Sequence, residues 1–266
     1  MTSRFDITGY LARVRYVGPC EASVATLAAL HEAHTRCIPF ENVDVRLGRP
    51  IRLDIDSLQA KLVAARRGGY CFEHNTLFAA ALRALGFEVA TLEARVRRPG
   101  ATSVMPRTHM VLRVEVGGRS WLADVGFGGE GLLRPAPLDG PEVDEPGGAV
   151  RVASEDRVRV LQRWLHGAWS DLYAFTLDPA LPVDYEVANH FTSTHPRSPF
   201  VQALTVQRAT AEARHVLRSR TYTVRRGDDE QVRELRAAEV PPLVREVLGL
   251  DLPDDLLLRA LGAPPP

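Results

Sequence analysis

A chain of 266 residues, 45 % apolar and 25 % charged, has the composition of a soluble globular protein and is long enough for two or three packed modules rather than one core. Lysine plus arginine balance aspartate plus glutamate at 33 each, with no basic block, so nucleic acid is not an expected partner. No stretch approaches the length of a membrane span, and charges interrupt the N-terminus before an apolar leader could form, so no membrane association and a cytoplasmic location are expected.

In chain order, the first 86 residues read as helical. The segments SVATLAALHEAHTRC (Ser23 to Cys37), DSLQAKLVAARR (Asp56 to Arg67) and CFEHNTLFAAALRAL (Cys71 to Leu85) are rich in Ala and Leu at helical spacing, and Gly86 is placed to end the last of them. From Phe87 the pattern changes to alternation. FEVATLEARV, HMVLRVEV and RSWLADVG are β-branched or aromatic runs divided by turn residues, which predicts short antiparallel strands. Leu133 to Val150 is dense in Pro, Gly and acids and reads as loop on or beside the sheet. Strands are expected to resume in VRVLQRWLHGAWSDLYAFTL, FVQALTVQRAT and HVLRSRTYTVRR, and PPLVREVLGLDLPDDLLLRALG closes the chain as helix.

Three cysteines, Cys20, Cys37 and Cys71, are too few and odd in number for a disulfide framework and fit a reducing compartment. A lone cysteine is commonly a small core residue, and that reading is kept for Cys20 and Cys37. Cys71 differs because it opens a helix. Gly68-Gly69 ahead of it can take the φ angles of a tight lead-in turn, and Phe78, Ala81, Leu82 and Leu85 form an apolar stripe behind it. Unpaired N–H groups and the positive end of the dipole at such a terminus stabilise a thiolate.

A second cluster lies in the strands. Gly117-Gly118 reads as the two-residue turn of a hairpin in which Val116 faces Arg119 and, counting outward, Val111 faces Asp124. His109 then shares a face with Asp124 as its diagonal neighbour, while Met110, Leu112, Val114, Val116, Trp121, Ala123 and Val125 form the core face. An aspartate beside an imidazole fixes its tautomer and stabilises its protonated form. Cys71, His109 and Asp124 are thus a candidate nucleophile, base and orienter. Cys71 and His74, or His31, His34 and Cys37, could suggest a metal site, but neither group supplies the second half of a tetrahedral set, and no metal is expected. His190 and His195 read as loop or pocket-rim residues.

The motifs IPFENVDV (Ile38 to Val45), RRGGYCFEHN (Arg66 to Asn75), THMVLRV (Thr108 to Val114) and DVGFGG (Asp124 to Gly129), in that order, resemble the arylamine N-acetyltransferases, particularly the bacterial ones. The resemblance spans essentially the whole chain and is weakest from Gly140 to Ser154 and in the C-terminal third. It implies an α+β fold of three domains: a helical bundle over 1–86 carrying Cys71, an antiparallel β-barrel over 87–195 carrying His109 and Asp124, and an α/β lid over 196–266. The catalytic core would be related to those of papain-like proteases and transglutaminases.

The implied activity is acetyl-CoA-dependent N-acetylation of arylamines, arylhydrazines and hydrazides, as in xenobiotic metabolism, by ping-pong transfer through acetyl-Cys71. Acetyl-CoA would be a cosubstrate, with no tightly bound cofactor, and the protein a monomer or homodimer. By the same resemblance Phe40, Thr108, Phe127 and Phe200 line the acceptor and acetyl pocket, and Gly126, Gly128 and Gly129 lie near the CoA pyrophosphate. Core packing is the alternative for the three phenylalanines, and a strand-ending turn for the glycines. Glu41 and Arg66 are a candidate buried ion pair. Other readings of the same triad are an amide synthase transferring a longer acyl chain, a non-catalytic aromatic-binding protein, and, less well matched, a peptidase or transglutaminase.

Overall fold

The alanine- and leucine-rich first third folds as helices, as its spacing predicts. In the computed structural model, which describes residues 5–97 and 104–262, helix α1 spans Ile7–Val14 and α2 spans Val24–Cys37. Each is started by a side-chain cap, with Asp6 accepting the N–H of Gly9 and Ser23 that of Thr26. A two-residue strand β1 (Phe40–Glu41) and the single-turn α3 (Val43–Arg46) follow. Helix α4 (Ile55–Leu58) then runs on into a π-helical turn, Gln59–Ala64. The central element is α5 (Cys71–Ala84), whose Phe72, Leu77, Phe78, Ala81 and Leu82 are fully buried against Leu27, Leu30 and Leu62, and Gly86 ends the segment at φ +85°.

Strands β2 (Glu88–Val96), β3 (His109–Val116), β4 (Arg119–Ala123), β5 (Ala136–Pro137), β6 (Val150–Glu155), β7 (Val158–Leu165) and β8 (Ala168–Phe175) form one antiparallel sheet. Its order is β5-β4-β3-β2-β8-β7-β6, and the edges β5 and β6 approach each other, giving a nearly closed seven-stranded barrel. The β3–β4 turn has Gly117 at φ +62° and Gly118 at φ +70°, the left-handed pair that glycine adopts without strain. Val116 faces Arg119 and Leu112 faces Ala123, which is the register expected from the turn.

One expectation about this hairpin is corrected. Both of its faces are core: Met110, Leu112, Val114 and Ala123 pack on the helices, while Val111 and Leu122 pack with Leu92, Leu161, Tyr173 and Phe175 in the second cluster. A barrel wall covered by helices has no wet face, so alternation alone could not show this.

Two helices, α6 (Pro182–Thr194) and α7 (Pro199–Gln202), lead back to the helical core, into which Tyr185, Ala188 and Val201 insert. FVQALTVQRAT is therefore not all strand, because its first residues belong to α7. A second antiparallel sheet contains β9 (Thr205–Ala209), β10 (Arg214–Arg218), β11 (Thr221–Arg226) and β12 (Asp229–Glu234). Strand β1 pairs with β9, so the order is β1-β9-β10-β11-β12. Helices α8 (Val240–Glu246) and α9 (Asp254–Gly262) close its core of Leu204, Val206, Leu217, Leu235 and Leu257. Among the described residues no helix is long and apolar enough to cross a membrane.

Candidate active site

Cys71 is the first residue of α5, and close packing dictates how the chain reaches it. A Cβ on Gly68 would lie 1.9 Å from the Pro39 carbonyl oxygen, and one on Gly69 would lie 2.6 Å from Glu73 Oε2. Gly68 thus allows close approach of Pro39 and β1, and Gly69 that of the Glu73 side chain, while positive φ is the role of neither; the left-handed residue of this turn is Arg66, at φ +53°. Glu73 accepts the Tyr70 N–H at 3.0 Å, which caps the helix start, and takes Lys61 Nζ at 2.7 Å.

The ion pair expected between Glu41 and Arg66 is corrected here. Arg66 is exposed, and Glu41 pairs with Arg67 at 2.6 Å. Arg67 and Lys61 also bind Asp44, at 2.9 Å each. Burial raises the Asp44 carboxyl, but Lys61 and Arg67 outweigh that and hold it down at about 2.

The Cys71 thiol is nearly buried and points toward the Thr108 carbonyl oxygen at 3.7 Å. His109, at the start of β3, donates from Nε2 to Asp124 Oδ2 at 2.7 Å. That leaves Nδ1 for Cys71, with which the imidazole also interacts. Burial alone would depress the His109 imidazole; Asp124 and Cys71 outweigh it and hold it well above its ordinary range. Asp124 is itself held low, its burial more than offset by His109, Asn75 and the Gly126 N–H. The three residues are therefore brought together, with the proton favoured on the imidazole.

Three supporting residues, Asn75, His31 and Tyr173, lie outside the expected site set. Asn75 lies one helical turn beyond Cys71 on the same face. Its Nδ2 donates to Asp124 Oδ1 at 2.8 Å and to the Met110 carbonyl at 2.7 Å, while its Oδ1 accepts the Val125 N–H at 3.0 Å. His31 Nε2 accepts the Asp124 N–H at 3.1 Å, and its Nδ1 donates to the Leu133 carbonyl at 3.0 Å. Tyr173 and Phe127 flank the His109 ring, with centroids 4.9 and 5.3 Å away. The i to i+4 spacing from Cys71 could have pointed to Asn75; nothing local marks Tyr173.

His74 has a different task. Its Nε2 donates to the Pro39 carbonyl at 3.2 Å and its Nδ1 accepts from His34 Nε2 at 2.9 Å, while His34 Nδ1 accepts from the Tyr10 hydroxyl at 2.9 Å. Both imidazoles are thus satisfied as neutral rings, and burial pushes His74 down to about 4 and His34 well down. Among the described residues no group of three His, Cys, Asp or Glu side chains is arranged to hold a metal. His195 stacks at 4.4 Å on Phe191, which lines the cavity over the triad, and His190 is exposed on α6; neither histidine lines that cavity.

A cavity of about 730 Å³ opens over the triad, within the usual range for small-molecule sites of roughly 300–1,000 Å³. Cys71, His109, Thr108, Phe40, Phe127 and Phe200 all line it, with Phe191 adding a further aromatic wall. Arg95, Arg97, Arg197 and Arg218 also line it, Arg97 being paired with Glu155 and Asp171 at 2.8 Å each. Of the three glycines, only Gly126 borders this cavity; Gly128 and Gly129 border a smaller one of about 30 Å³ behind Phe127. The Gly126 N–H is donated to Asp124 Oδ1 at 2.9 Å and that of Gly129 to Gln207 Oε1. This arrangement suits covalent acyl chemistry on a flat, largely apolar ligand, with an anionic end accommodated toward the arginines.

A family model described as N-acetyltransferase matches residues 23–257. An arylamine N-acetyltransferase of Mycolicibacterium smegmatis is 41 % identical over 256 residues, covering 94 % of this chain and 93 % of that one. The solved structure of M. smegmatis arylamine N-acetyl transferase superposes with a TM-score of 0.91 at 39 % identity, covering 96 % of this chain and 97 % of its own. That of Mycobacterium marinum arylamine N-acetyltransferase in complex with CoA gives 0.91 at 34 % identity, covering 97 % and 100 %.

Proposed function

The chain belongs to the arylamine N-acetyltransferase family, and on that premise we propose that it carries an acetyl group from acetyl-CoA to arylamines, arylhydrazines and hydrazides through an acetyl-Cys71 intermediate. One observation carries the reading: Cys71 and His109 line a cavity walled by phenylalanines, and Asp124 is hydrogen-bonded to His109. In the resting state the proton sits on His109, steadied by Asp124, and Cys71 is the thiolate. The thiolate attacks the thioester carbonyl, the carbon–sulfur bond to CoA breaks, and the leaving CoA thiolate takes the proton from His109. One thioester replaces another, so the step is nearly isoenergetic; a serine ester would hold the acetyl group in a less reactive form.

CoA departs, and the amine attacks acetyl-Cys71. Arylamines are weak bases and largely unprotonated at neutral pH, so the neutral imidazole is needed chiefly to take the nitrogen's proton as the tetrahedral intermediate collapses. Carbon–sulfur cleavage then restores the thiolate–imidazolium pair. Phe40, Phe127, Phe200 and Thr108 form the acetyl and acceptor walls. Of the glycines at 126, 128 and 129 only Gly126 borders this cavity, and its N–H is committed to Asp124, so Arg197 and Arg218 are assigned to the CoA phosphates.

The papain-like arrangement of cysteine on a helix and histidine and aspartate on a barrel wall, and the division into 1–86, 87–195 and a 196–266 lid, belong to the same proposal, as do a cytoplasmic location and a monomeric or homodimeric state. Its test is a panel of arylamines and hydrazines assayed with acetyl-, propionyl- and malonyl-CoA. Parallel double-reciprocal lines with acetyl-CoA and an arylamine are expected. Intersecting lines would argue for direct transfer, and turnover only with much longer acyl thioesters would favour the amide-synthase reading.

A further inference from the structure

Away from the triad, the two sheets meet at a cluster of arginines. Arg214 at the start of β10 and Arg225 near the end of β11 are direct cross-strand partners, and both are buried, at 7 % and 5 % exposure. Like charges placed opposite each other in a sheet are unfavourable, and burial removes the water that would screen them. Arg163 on β7 lies in the same cluster, fully buried. Against these three guanidinium groups stand two carboxylates. Glu145 pairs with Arg163 at 2.8 Å and lies 3.8 Å from Arg214, and the half-buried Glu130 pairs with Arg225. The cluster carries one positive charge in excess.

The hydrogen bonds show where that excess lies. Arg163 is satisfied by the Glu130, Gly148 and Gly131 carbonyls together with the Glu145 carboxylate. Arg214 Nη1 donates to the Gly129 and Gly131 carbonyls, but its Nε and Nη2, and Nε of Arg225, have no hydrogen-bond partner among the described residues. Burial and then Arg163 push Arg214 down to about 10, so it remains charged at neutral pH. A buried, charged donor without an acceptor is costly.

Geometry supplies a place for an acceptor. Gly147 has φ +92°, and a Cβ there would lie 3.3 Å from Arg214 Nε and 3.6 Å from Arg225 Nη2. The side-chain-free position opens a cavity of about 40 Å³ lined by Pro146, Gly147, Arg214, Arg225 and Gly227. A cavity needs about 10–15 Å³ of such space to hold one water, so there is room for a small inorganic ion. Glu212 also borders the cavity but is exposed and forms no ion pair with either arginine among the described residues.

We propose that Arg214, Arg225 and Gly147 form a binding site for one small inorganic anion of the halide class, which neutralises the cross-strand arginine pair where the second sheet meets the barrel. The anion accepts from the Nε groups of both arginines. Its effect reaches the catalytic centre through Arg214, which holds the 129–131 segment that follows Phe127, the ring packed against His109.

Two measurements test the site. Melting at pH 7 and constant ionic strength, with chloride or bromide replacing gluconate, should show a saturable rise of a few degrees that is lost in Arg225→Met. Crystals of the unmodified protein soaked in bromide decide the matter independently of how that variant folds. An anomalous peak within hydrogen-bond distance of Arg214 Nε and Arg225 Nε supports the site. Water or the Glu212 carboxylate in that place, with no bromide peak, overturns it, and a melting shift seen without the peak would be an anion effect elsewhere on the surface.

Discussion

Asn75 shows how the centre depends on residues that never touch the reacting atoms. It joins the helix that carries Cys71 to the carboxylate that orients His109, so Asn75→Ala should lower kcat by about 100-fold through misplacement, with KM for the acceptor little changed. Asp124→Asn removes the charge that holds the imidazolium and should cost roughly 10⁴-fold in kcat by the logic of other nucleophile triads. Near-normal turnover of either variant would contradict these roles. The buried histidines also predict a pH dependence of stability. Unfolded, His34 and His74 bind protons from about pH 6.5 downward, whereas folded they resist protonation, His74 until about pH 4. The unfolded chain then holds more protons, and stability falls as pH drops from about 6.5 toward 4. His109 has the opposite sign: its raised folded value favours the native state below about pH 6.5, and that contribution is lost as the solution becomes alkaline. Urea midpoints measured from pH 4.5 to 9 should peak near neutrality. A midpoint flat from pH 7 to 5 would contradict neutral burial, since Asp44, held at about 2, loses its contribution only below the ordinary carboxylate range.

Among the elements, the turn into α5 is the most constrained. A Cβ at Gly68 would meet backbone rather than a movable side chain, so Gly68→Ala should destabilise by about 2–4 kcal/mol and reduce activity by shifting Cys71. A calorimetric loss under 0.5 kcal/mol would count against that packing argument. The elements also show why parts of the structure were legible in sequence and others were not. Gly117-Gly118 fixes a two-residue turn, and period-two counting from it places His109 beside Asp124 correctly. The arginine partner of Glu41 was missed by one residue, because the π-helical turn and the left-handed Arg66 change which side chain faces inward. Helix α6 carries little signal in sequence, because its β-branched and threonine content masks a start marked by Pro182 and by Asp184 accepting the Leu181 N–H. Strand β12, DEQVRE, is exposed throughout and has no apolar face to reveal it.

At the scale of the whole molecule, the site lies where the helical core meets the barrel, and the second sheet is tied to the helical core through β1. Asn42, next to β1, is the main stitch. Its Nδ2 donates to the Phe200 and Ala203 carbonyls at 2.7 and 2.8 Å, and its Oδ1 accepts the Thr205 N–H at 2.6 Å. Asn42→Ala strands three polar groups, two of them buried, and should cost about 2–4 kcal/mol while raising KM for the arylamine, because Phe200 is displaced from the cavity wall. An unchanged KM in a folded variant would show that Phe200 is held by other contacts.

The central claim, a covalent acetyl group on Cys71, can be measured directly. Incubating the protein with acetyl-CoA and no acceptor, then taking intact mass and a peptide map, should show one acetyl group on Cys71 and none on Cys20 or Cys37, discharged on adding an arylamine. A folded, active preparation that shows no adduct, or carries it on another residue, would contradict the account.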